Sequence, residues 1–258
     1  MHNATKNLLE AWKTLNTSKP PYILDGDEVI NGHTHKYKNY QTFISDKNFG
    51  DIDSTKFHTG LLPVPYSGNI LKAKIFILAL NPGFSIRDYY EESHSKKIIN
   101  KRKQRLKDSS SEKNFPWLSL NPEFAWTGGY EYWTKKLNPI IKKIMDLREI
   151  SYVDVLQLLS KNIAVIELVP YHSKSFGLSK TKMNNLRSVS LMKDFVKNDL
   201  LTKAKHNKAV IIITRKAKYW DLPKHKNIIR YDNNEARSAS LGLGSKGGKI
   251  ILQMLKEN

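Results

Sequence analysis

Four continuous apolar runs divide the chain, and each one ends abruptly at polar residues, proline or glycine. The runs cover residues 73–80, 162–169, 208–214 and 227–231. Apolar runs of this length without polar alternation are typical of parallel strands that are buried on both faces. The sequence therefore predicts a central, mainly parallel sheet of four strands.

Segments with helical periodicity alternate with these runs. A helix is predicted over residues 3–15, where Leu8, Leu9, Trp12 and Leu15 fall on one face, and further helices are predicted over 137–147, 153–159, 190–201 and 248–255. Strands that alternate with helices predict an α/β fold, built as a three-layer α/β/α sandwich. We expect one domain over residues 1–258, with an irregular N-terminal extension up to about residue 66, where proline and glycine interrupt any periodicity.

The charge of the chain points to a polyanionic partner. Its 43 Lys and Arg residues exceed its 24 Asp and Glu residues, which leaves a formal net charge of +19. Phosphate polymers commonly balance such an excess, so DNA is the expected partner; a lysine-rich surface typical of AT-rich genomes is the alternative. Seven of the basic residues lie in 96–107, which indicates a solvated helix face, a mobile loop or a contact to the DNA backbone.

Other features exclude classes of protein. The chain has no cysteine, which excludes disulfides, thiolate nucleophiles and cysteine-ligated metals. It shows no secretory signal and no apolar run near the ~18 residues of a membrane span, so we expect a cytoplasmic protein that does not bind to a membrane. We also expect it to be a monomer. His33 and His35 lie near Asp25 and Asp27, but their loop has no metal-binding pattern, and we predict no metal and no cofactor.

Candidate site residues follow the predicted strands, because open parallel sheets bind ligands at the carboxyl ends of their strands. The first run is followed by Asn81, Pro82, Gly83 and Phe84, and Tyr90 comes soon after them. The second run contains Glu167 near its end and precedes Tyr171 and His172. The last run is followed by a polar segment and a glycine-rich loop that contain Asn233, Asn234, Arg237, Ser238, Ser240 and Lys246.

A strand that ends in Asn81-Pro82-Gly83 resembles the first motif of the uracil-DNA glycosylase superfamily, most closely its mismatch-specific and single-strand-selective branches. Residues 233–241 resemble the second motif, a loop that contacts the DNA minor groove, and residues 164–170 fall where the family has its base-reading strand. The resemblance spans residues 60–255 or so. It implies a monofunctional DNA glycosylase that hydrolyses the bond to a flipped base, in DNA repair or in defence against phage DNA.

The chemistry of base excision, together with the resemblance, suggests a role for each candidate residue. Asn81 would orient the attacking water, and His172 would protonate or orient the leaving base. The base would contact Pro82, Gly83, Phe84, Tyr90, Glu167 and Tyr171, and the DNA would contact Asn233, Asn234, Arg237, Ser238, Ser240 and Lys246. Structural alternatives stay open: Asn81 as a turn residue, Tyr90 as a core residue, and Glu167 as the partner of a local cation.

Glu167 suggests which base is preferred. An ionised carboxylate offers only acceptors, whereas a uracil reader needs both a donor and an acceptor. A carboxylate suits an exocyclic amine such as that of cytosine, so the sequence predicts a modified cytosine rather than uracil.

Two further hypotheses remain at this stage. The second motif lacks the histidine of the main branch of the family, which favours a nucleic-acid-binding protein with a glycosylase-like fold and no catalysis. A small-molecule enzyme that acts on nucleosides or nucleotides is the other, although such an enzyme would not need a charge of +19.

Overall fold

The computed structural model describes residues 3–49 and 52–256, and it has an α/β fold with a central sheet. The strands are β1 (Tyr66–Ser67), β2 (Ile75–Ala79), β3 (Ile163–Glu167), β4 (Val210–Ile213) and β5 (Ile228–Arg230), in the order β1-β3-β2-β4-β5. β2 and β5 both pair in parallel with β4, with Ile75 opposite Val210 and Ile211 opposite Ile228. The predicted fold class is confirmed, with one more strand than expected.

The extra strand, β1, lies inside the stretch predicted to be irregular. It has only two residues, and Pro63 and Pro65 precede it closely, so the sequence pattern around it is that of a loop. It stands at one edge of the sheet, where a short strand next to prolines is tolerated because one of its sides needs no partner.

The helices are α1 (Asn3–Lys13), α2 (Tyr40–Ile44), α3 (Ile86–His94), α4 (Lys96–Lys107), α5 (Gly128–Arg148), α6 (Tyr152–Asn162), α7 (Lys180–Asn184), α8 (Arg187–Asp194), α9 (Leu201–Lys205), α10 (Ala217–Trp220), α11 (Asn233–Ser238) and α12 (Lys246–Lys256). Short 3₁₀ helices cover Glu28–His33, Leu118–Leu120 and Pro122–Phe124.

Helix boundaries depart from the prediction where capping residues decide them. α5 begins nine residues early because the Thr127 side chain accepts a bond from the Tyr130 amide. The helix predicted over 190–201 begins at Arg187 and passes at Phe195–Leu200 into a wider, π-type turn before α9. Residues 233–238, expected as a loop, form α11, because Asp232 and Glu235 make a reciprocal capping box at its start.

Both faces of the central strands are buried. Ile75, Ile77, Val210 and Ile212 belong to the largest apolar cluster, together with residues of α5, α6 and α12. The alternate residues Phe76, Leu78, Ile211 and Ile213 are buried as well. A strand buried on both faces has no polar alternation, and this is why the sequence marked these strands so clearly.

The chain forms two compact units. Unit 1 consists of Met1–Tyr66, Leu80–Ser111 and Glu167–Asp199, and unit 2 of Ser67–Ala79, Glu112–Ile166 and Leu200–Asn258. In unit 1, α1 packs on α4 and α8, and α3 packs on α2 and α4. In unit 2, α5 packs on α6 and α12 over the apolar cluster. The predicted extension up to residue 66 is thus an integral part of unit 1.

Candidate active site

The loop that follows β2 holds the Asn81 side chain by its amide nitrogen. Nδ2 donates to the carbonyl oxygens of Pro82 at 3.0 Å and Ser173 at 3.3 Å, and to Ser173 Oγ at 3.0 Å. The carbonyl oxygen of Tyr171 lies 3.5 Å from the same nitrogen. These acceptors fix the orientation of the carboxamide. If the side chain were flipped, its oxygen would face the same acceptor oxygens and would be repelled by them.

Asn81 Oδ1 is consequently the atom left for a ligand. It makes no hydrogen bond with any residue in the described ranges, and the side chain is only half-buried. An oriented carbonyl oxygen at the end of a strand can accept a hydrogen bond from a water molecule or from a substrate. An amide cannot remove a proton from water at neutral pH, so its possible chemical role is orientation.

The next residues of the loop are tied to His172. The imidazole Nδ1 donates to the Gly83 carbonyl oxygen at 2.8 Å, and the Ser173 amide donates to Pro82 O at 3.2 Å. Burial lowers the pKa of His172, so the ring is neutral at pH 7 and its proton is on Nδ1. In this state His172 positions the Pro82-Gly83 backbone and has no second proton to give to a leaving base.

Gly83 itself is exposed and is not held by packing. A Cβ atom built on Gly83 would meet no heavy atom within 4 Å, so the fold places no steric demand for glycine here. Because Gly83 has no side chain, a ligand can approach the Asn81 loop at this position without steric hindrance.

Phe84 stacks on a histidine that the sequence did not single out. Its ring lies 3.6 Å from the His58 ring, centroid to centroid, at an interplanar angle of 11°. Burial lowers the pKa of His58 to about 2, so this imidazole is neutral and acts as an aromatic partner. One face of Phe84 is therefore already covered, and an extruded base could stack only on the other.

Glu167 ends β3 as a buried carboxyl group, and it pairs with no cation in the part of the chain that the structure describes. The residue is 7% exposed, and its Oε2 has no hydrogen-bond partner among the described residues. Burial raises the pKa of Glu167 to about 8, so the group is mostly protonated at pH 7. This corrects the premise that it is ionised: a neutral carboxyl offers one donor and one acceptor, and it no longer excludes uracil on that ground.

The two predicted tyrosines have different surroundings. Tyr171 is 1% exposed, and its hydroxyl donates to Asp27 at 2.6 Å, so its side chain belongs to the core network of unit 1. Tyr90 is 45% exposed and stacks on His94 at 4.2 Å, so the alternative that it is a core residue is wrong. Tyr90 presents an aromatic surface to solvent, whereas Tyr171 does not.

A buried charge cluster lies beside His172, and sequence reasoning missed it. Arg102 donates to Glu91 at 2.5 Å and to Glu92 at 2.9 Å, and Glu92 accepts from the Leu62 amide. Asp88 Oδ2 lies 4.0 Å from His172 Nδ1; burial, and then the charge of Glu91, raise the pKa of Asp88 to about 7. Arg102 belongs to the basic run of α4, for which the sequence predicted a solvated helix face, a mobile loop or a DNA contact, because no local pattern pairs it with α3.

The predicted DNA-binding residues are all on the surface of unit 2. They are Asn233, Asn234, Arg237, Ser238, Ser240 and Lys246. Lys246 is engaged locally, since its ammonium group lies 3.2 Å from Asp232 and 2.6 Å from Glu235. Ser238 Oγ donates to the Glu235 carbonyl oxygen and Ser240 Oγ accepts from the Gly242 amide. Arg237 has no carboxylate partner among residues 3–49 and 52–256, and its charge is thus available to an anion.

Two basic side chains extend this surface beyond the predicted set. The Arg215 guanidinium donates to the Arg237 carbonyl oxygen at 3.2 Å, which fixes a second arginine beside α11. Burial, and then the charge of Arg215, lower the pKa of Lys136 to about 8. Cations held this close together favour an anion between them. Lys136 lies a hundred residues from α11 in sequence, so no motif could link the two.

The comparisons with known proteins identify no relative. No family model, no curated protein and no solved structure matches the chain. In the described ranges, no group of three metal-ligating side chains is found, and no helix combines the length and apolar character of a membrane span.

Proposed function

We propose that this protein is a DNA glycosylase that hydrolyses the N-glycosidic bond of a flipped damaged or modified base. The observation that carries the proposal is the Asn81 carboxamide, whose nitrogen is bound by the loop and whose oxygen has no partner among the described residues. The free oxygen follows a strand of a mostly parallel sheet, on the side where such sheets bind their ligands.

To hydrolyse the N-glycosidic bond, the protein mainly has to position the attacking water and the base. Water attacks C1′ of the sugar, the bond from C1′ to the base nitrogen breaks, and the base leaves with the bonding electron pair. The attacking water loses one proton, and the departing base gains one. Asn81 Oδ1 accepts a hydrogen bond from that water and holds it on one face of the sugar, an orientation effect that enzymes use to accelerate hydrolysis.

Glu167 would read the base. As a neutral acid its O–H donates to N3 of a cytosine-type base, and its carbonyl oxygen accepts from the exocyclic N4 amine. A modified cytosine remains the proposed substrate, and uracil is the competitor to test. Because Glu167 ionises near pH 8, excision should decline above that pH as the donor to the base is lost.

The test is excision from oligonucleotides. Strands with one uracil, cytosine or modified cytosine would be incubated with protein in excess and treated with alkali, which breaks the strand at abasic sites. Asn81→Ala should lower the single-turnover rate about 100-fold, since a misplaced water costs that much, while DNA affinity stays unchanged. Asn100→Ala, a change of the same residue type on the exposed surface of α4, is the matched control.

An unchanged rate in Asn81→Ala would remove Asn81 from the mechanism. Binding without any abasic product would instead support the second candidate, a non-catalytic nucleic-acid-binding protein. One observation favours that candidate: the segment that resembles the second motif is the short helix α11 rather than a loop, and it contains no histidine.

A further inference from the structure

Unit 1 contains a pocket that does not involve Asn81, Glu167 or His172. It is a pocket of about 430 Å³ between α2, α3 and the start of α4. Its walls include Lys38, Tyr40, Gln41, Tyr89, Glu92 and His94. The volume falls within the range of about 300–1,000 Å³ that is usual for small-molecule sites.

The Tyr89 hydroxyl marks this pocket as a binding site. Tyr89 is 1% exposed, yet its hydroxyl has no hydrogen-bond partner among the described residues. The oxygen lies beside Gly60, another residue of the pocket lining, 3.1 Å from where a Cβ of that residue would stand. A buried hydroxyl without a partner destabilises a fold, so its retention at a cavity wall points to a ligand that bonds to it.

The walls also define the kind of ligand. Tyr40 packs edge-on against Tyr90 at 5.3 Å and against His94 at 5.2 Å, so Tyr40 and His94 of the lining form an aromatic cluster with Tyr90. Such aromatic surfaces are the usual platforms for nucleic-acid bases. Gln41 supplies an amide that can both donate and accept, which suits the mixed donor and acceptor edge of a base.

The charges around the pocket favour a phosphate on that ligand. Lys38 lines the pocket and makes no ion pair with any residue of the described ranges. The carboxylate in the lining, Glu92, is paired with Arg102 at 2.9 Å, a cation that it shares with Glu91. Lys96 begins α4 two residues after His94 and adds a further exposed cation.

We propose that this pocket binds a nucleotide, with the base against Tyr40 and bonded to the Tyr89 hydroxyl, and the phosphate near Lys38. The ligand is either a free nucleotide or one residue of a single strand, which share this chemistry. The proposal does not depend on glycosylase activity, because the residues that would bind the nucleotide, Lys38, Tyr40 and Tyr89, have no part in the proposed hydrolysis.

The test is calorimetric titration of the full chain with each of the four deoxynucleoside 5′-monophosphates, with deoxyribose 5-phosphate and inorganic phosphate as baseless probes. We expect at least one nucleotide to bind more tightly than both baseless probes. Tyr89→Phe should weaken it about tenfold by removing one hydrogen bond, and Tyr40→Ala about tenfold or more by removing the ring surface. Tyr219→Phe, in unit 2, is the matched control and should bind as the wild type does.

Thermal unfolding separates this role from a structural one. Tyr89→Phe removes a hydroxyl that bonds to no described residue, so its Tm should not fall. The proposal is overturned if no nucleotide binds, if inorganic phosphate binds equally well, or if Tyr89→Phe leaves the affinity unchanged. It is also overturned if Asn81→Ala weakens binding as much as Tyr89→Phe, since the nucleotide would then occupy the candidate active site.

A single-stranded hexanucleotide distinguishes the two sources of the ligand. If Tyr89→Phe also weakens the hexanucleotide, the pocket accepts a residue of a strand. If only the free nucleotides are affected, the pocket is a site for free nucleotides, and the proposed ligand class stands in both cases.

Discussion

Units 1 and 2 bury different kinds of side chain. Among the described residues, the buried side chains that are charged or carry an imidazole all belong to unit 1: Asp27, His58, Asp88, Glu91, Arg105, Glu167, His172 and Asp199. The buried polar side chains of unit 2 are uncharged: Ser67, Asn69, Thr127, Ser160 and Thr214. The charged groups of unit 2 lie outside its apolar cluster, as Lys246 does with its two carboxylates.

This difference suggests that unit 2 mainly stabilises the fold, whereas unit 1 contains the groups that can take part in a reaction. A core of uncharged side chains stabilises a fold at little electrostatic cost, whereas each buried ionisable group must be paired or kept neutral. Unit 1 keeps Glu167, His58 and His172 neutral and pairs Arg102 with two carboxylates. Groups with shifted pKa values concentrate at functional sites in proteins, so unit 1 is where we expect reactions and unit 2 is where we expect support.

The largest effect should come from breaking the buried ion pairs of unit 1. Arg102→Met leaves Glu91 and Glu92 buried without their cation, which should lower the free energy of unfolding by about 3–5 kcal/mol in urea denaturation. Lys246→Met breaks the exposed pairs of unit 2 and should change the free energy of unfolding far less. Equal losses in the two variants would show that burial does not distinguish the units.

The next effect concerns pH. The pKa of Glu167 is about 8 in the folded chain and near 4.5 in an unfolded one, so between these values only the unfolded chain releases the proton. Stability should therefore fall as pH rises through this range, and Glu167→Gln should remove that loss. The gain should be near zero at pH 4 and roughly 3 kcal/mol at pH 7.

Ser160→Ala is the matched test in unit 2. Ser160 Oγ accepts from the Trp117 amide at 2.9 Å and has no charge to titrate. Its loss should cost the same free energy at pH 4 and pH 7. A gain for Glu167→Gln that is equally independent of pH would mean that this carboxyl is ionised in the folded chain or not buried in solution.

The smallest effect concerns the proposed binding of DNA by the surface of unit 2. If Arg237 contacts a phosphate, Arg237→Ala should reduce the slope of log affinity against log salt by about 0.9. Lys246→Ala should change the slope less, because Asp232 and Glu235 already neutralise that ammonium group. Titrations of a labelled duplex between about 50 and 200 mM salt measure both slopes. A larger change in Lys246→Ala would reverse this assignment.

The sequence was most informative where a local pattern repeats. The runs around Ile77, Val165 and Ile212 predicted the central strands because burial on both faces leaves an unbroken apolar stretch. Asn81 and His172 were found because they follow such strands. β1 and α11 were missed because a two-residue strand has no period, and because the capping box of Asp232 and Glu235 outweighed the loop-like composition of the segment after it.

Contacts between segments distant in sequence could not be predicted in the same way. His58 stacks on Phe84, and Arg102 pairs with Glu91 and Glu92, without a motif that joins them. The protonation of Glu167 is of the same kind, because it depends on the absence of a cation from a buried volume rather than on its neighbours in the chain. The residues of the candidate site were thus partly predictable, but their protonation states were not.

The division of the chain into two units also affects how it folds. Each unit is assembled from three separate segments, and unit 1 has to bring Leu80–Ser111 together with Glu167–Asp199 across all of residues 112–166. Closing loops of this length before the contacts form is entropically unfavourable, and topologies rich in distant contacts fold slowly. During synthesis, the apolar strand β2 emerges well before its two neighbours in the sheet, β3 and β4, so a nascent chain exposes an unpaired apolar segment for an extended period. Expression at low temperature or with chaperones should therefore raise the yield of folded protein.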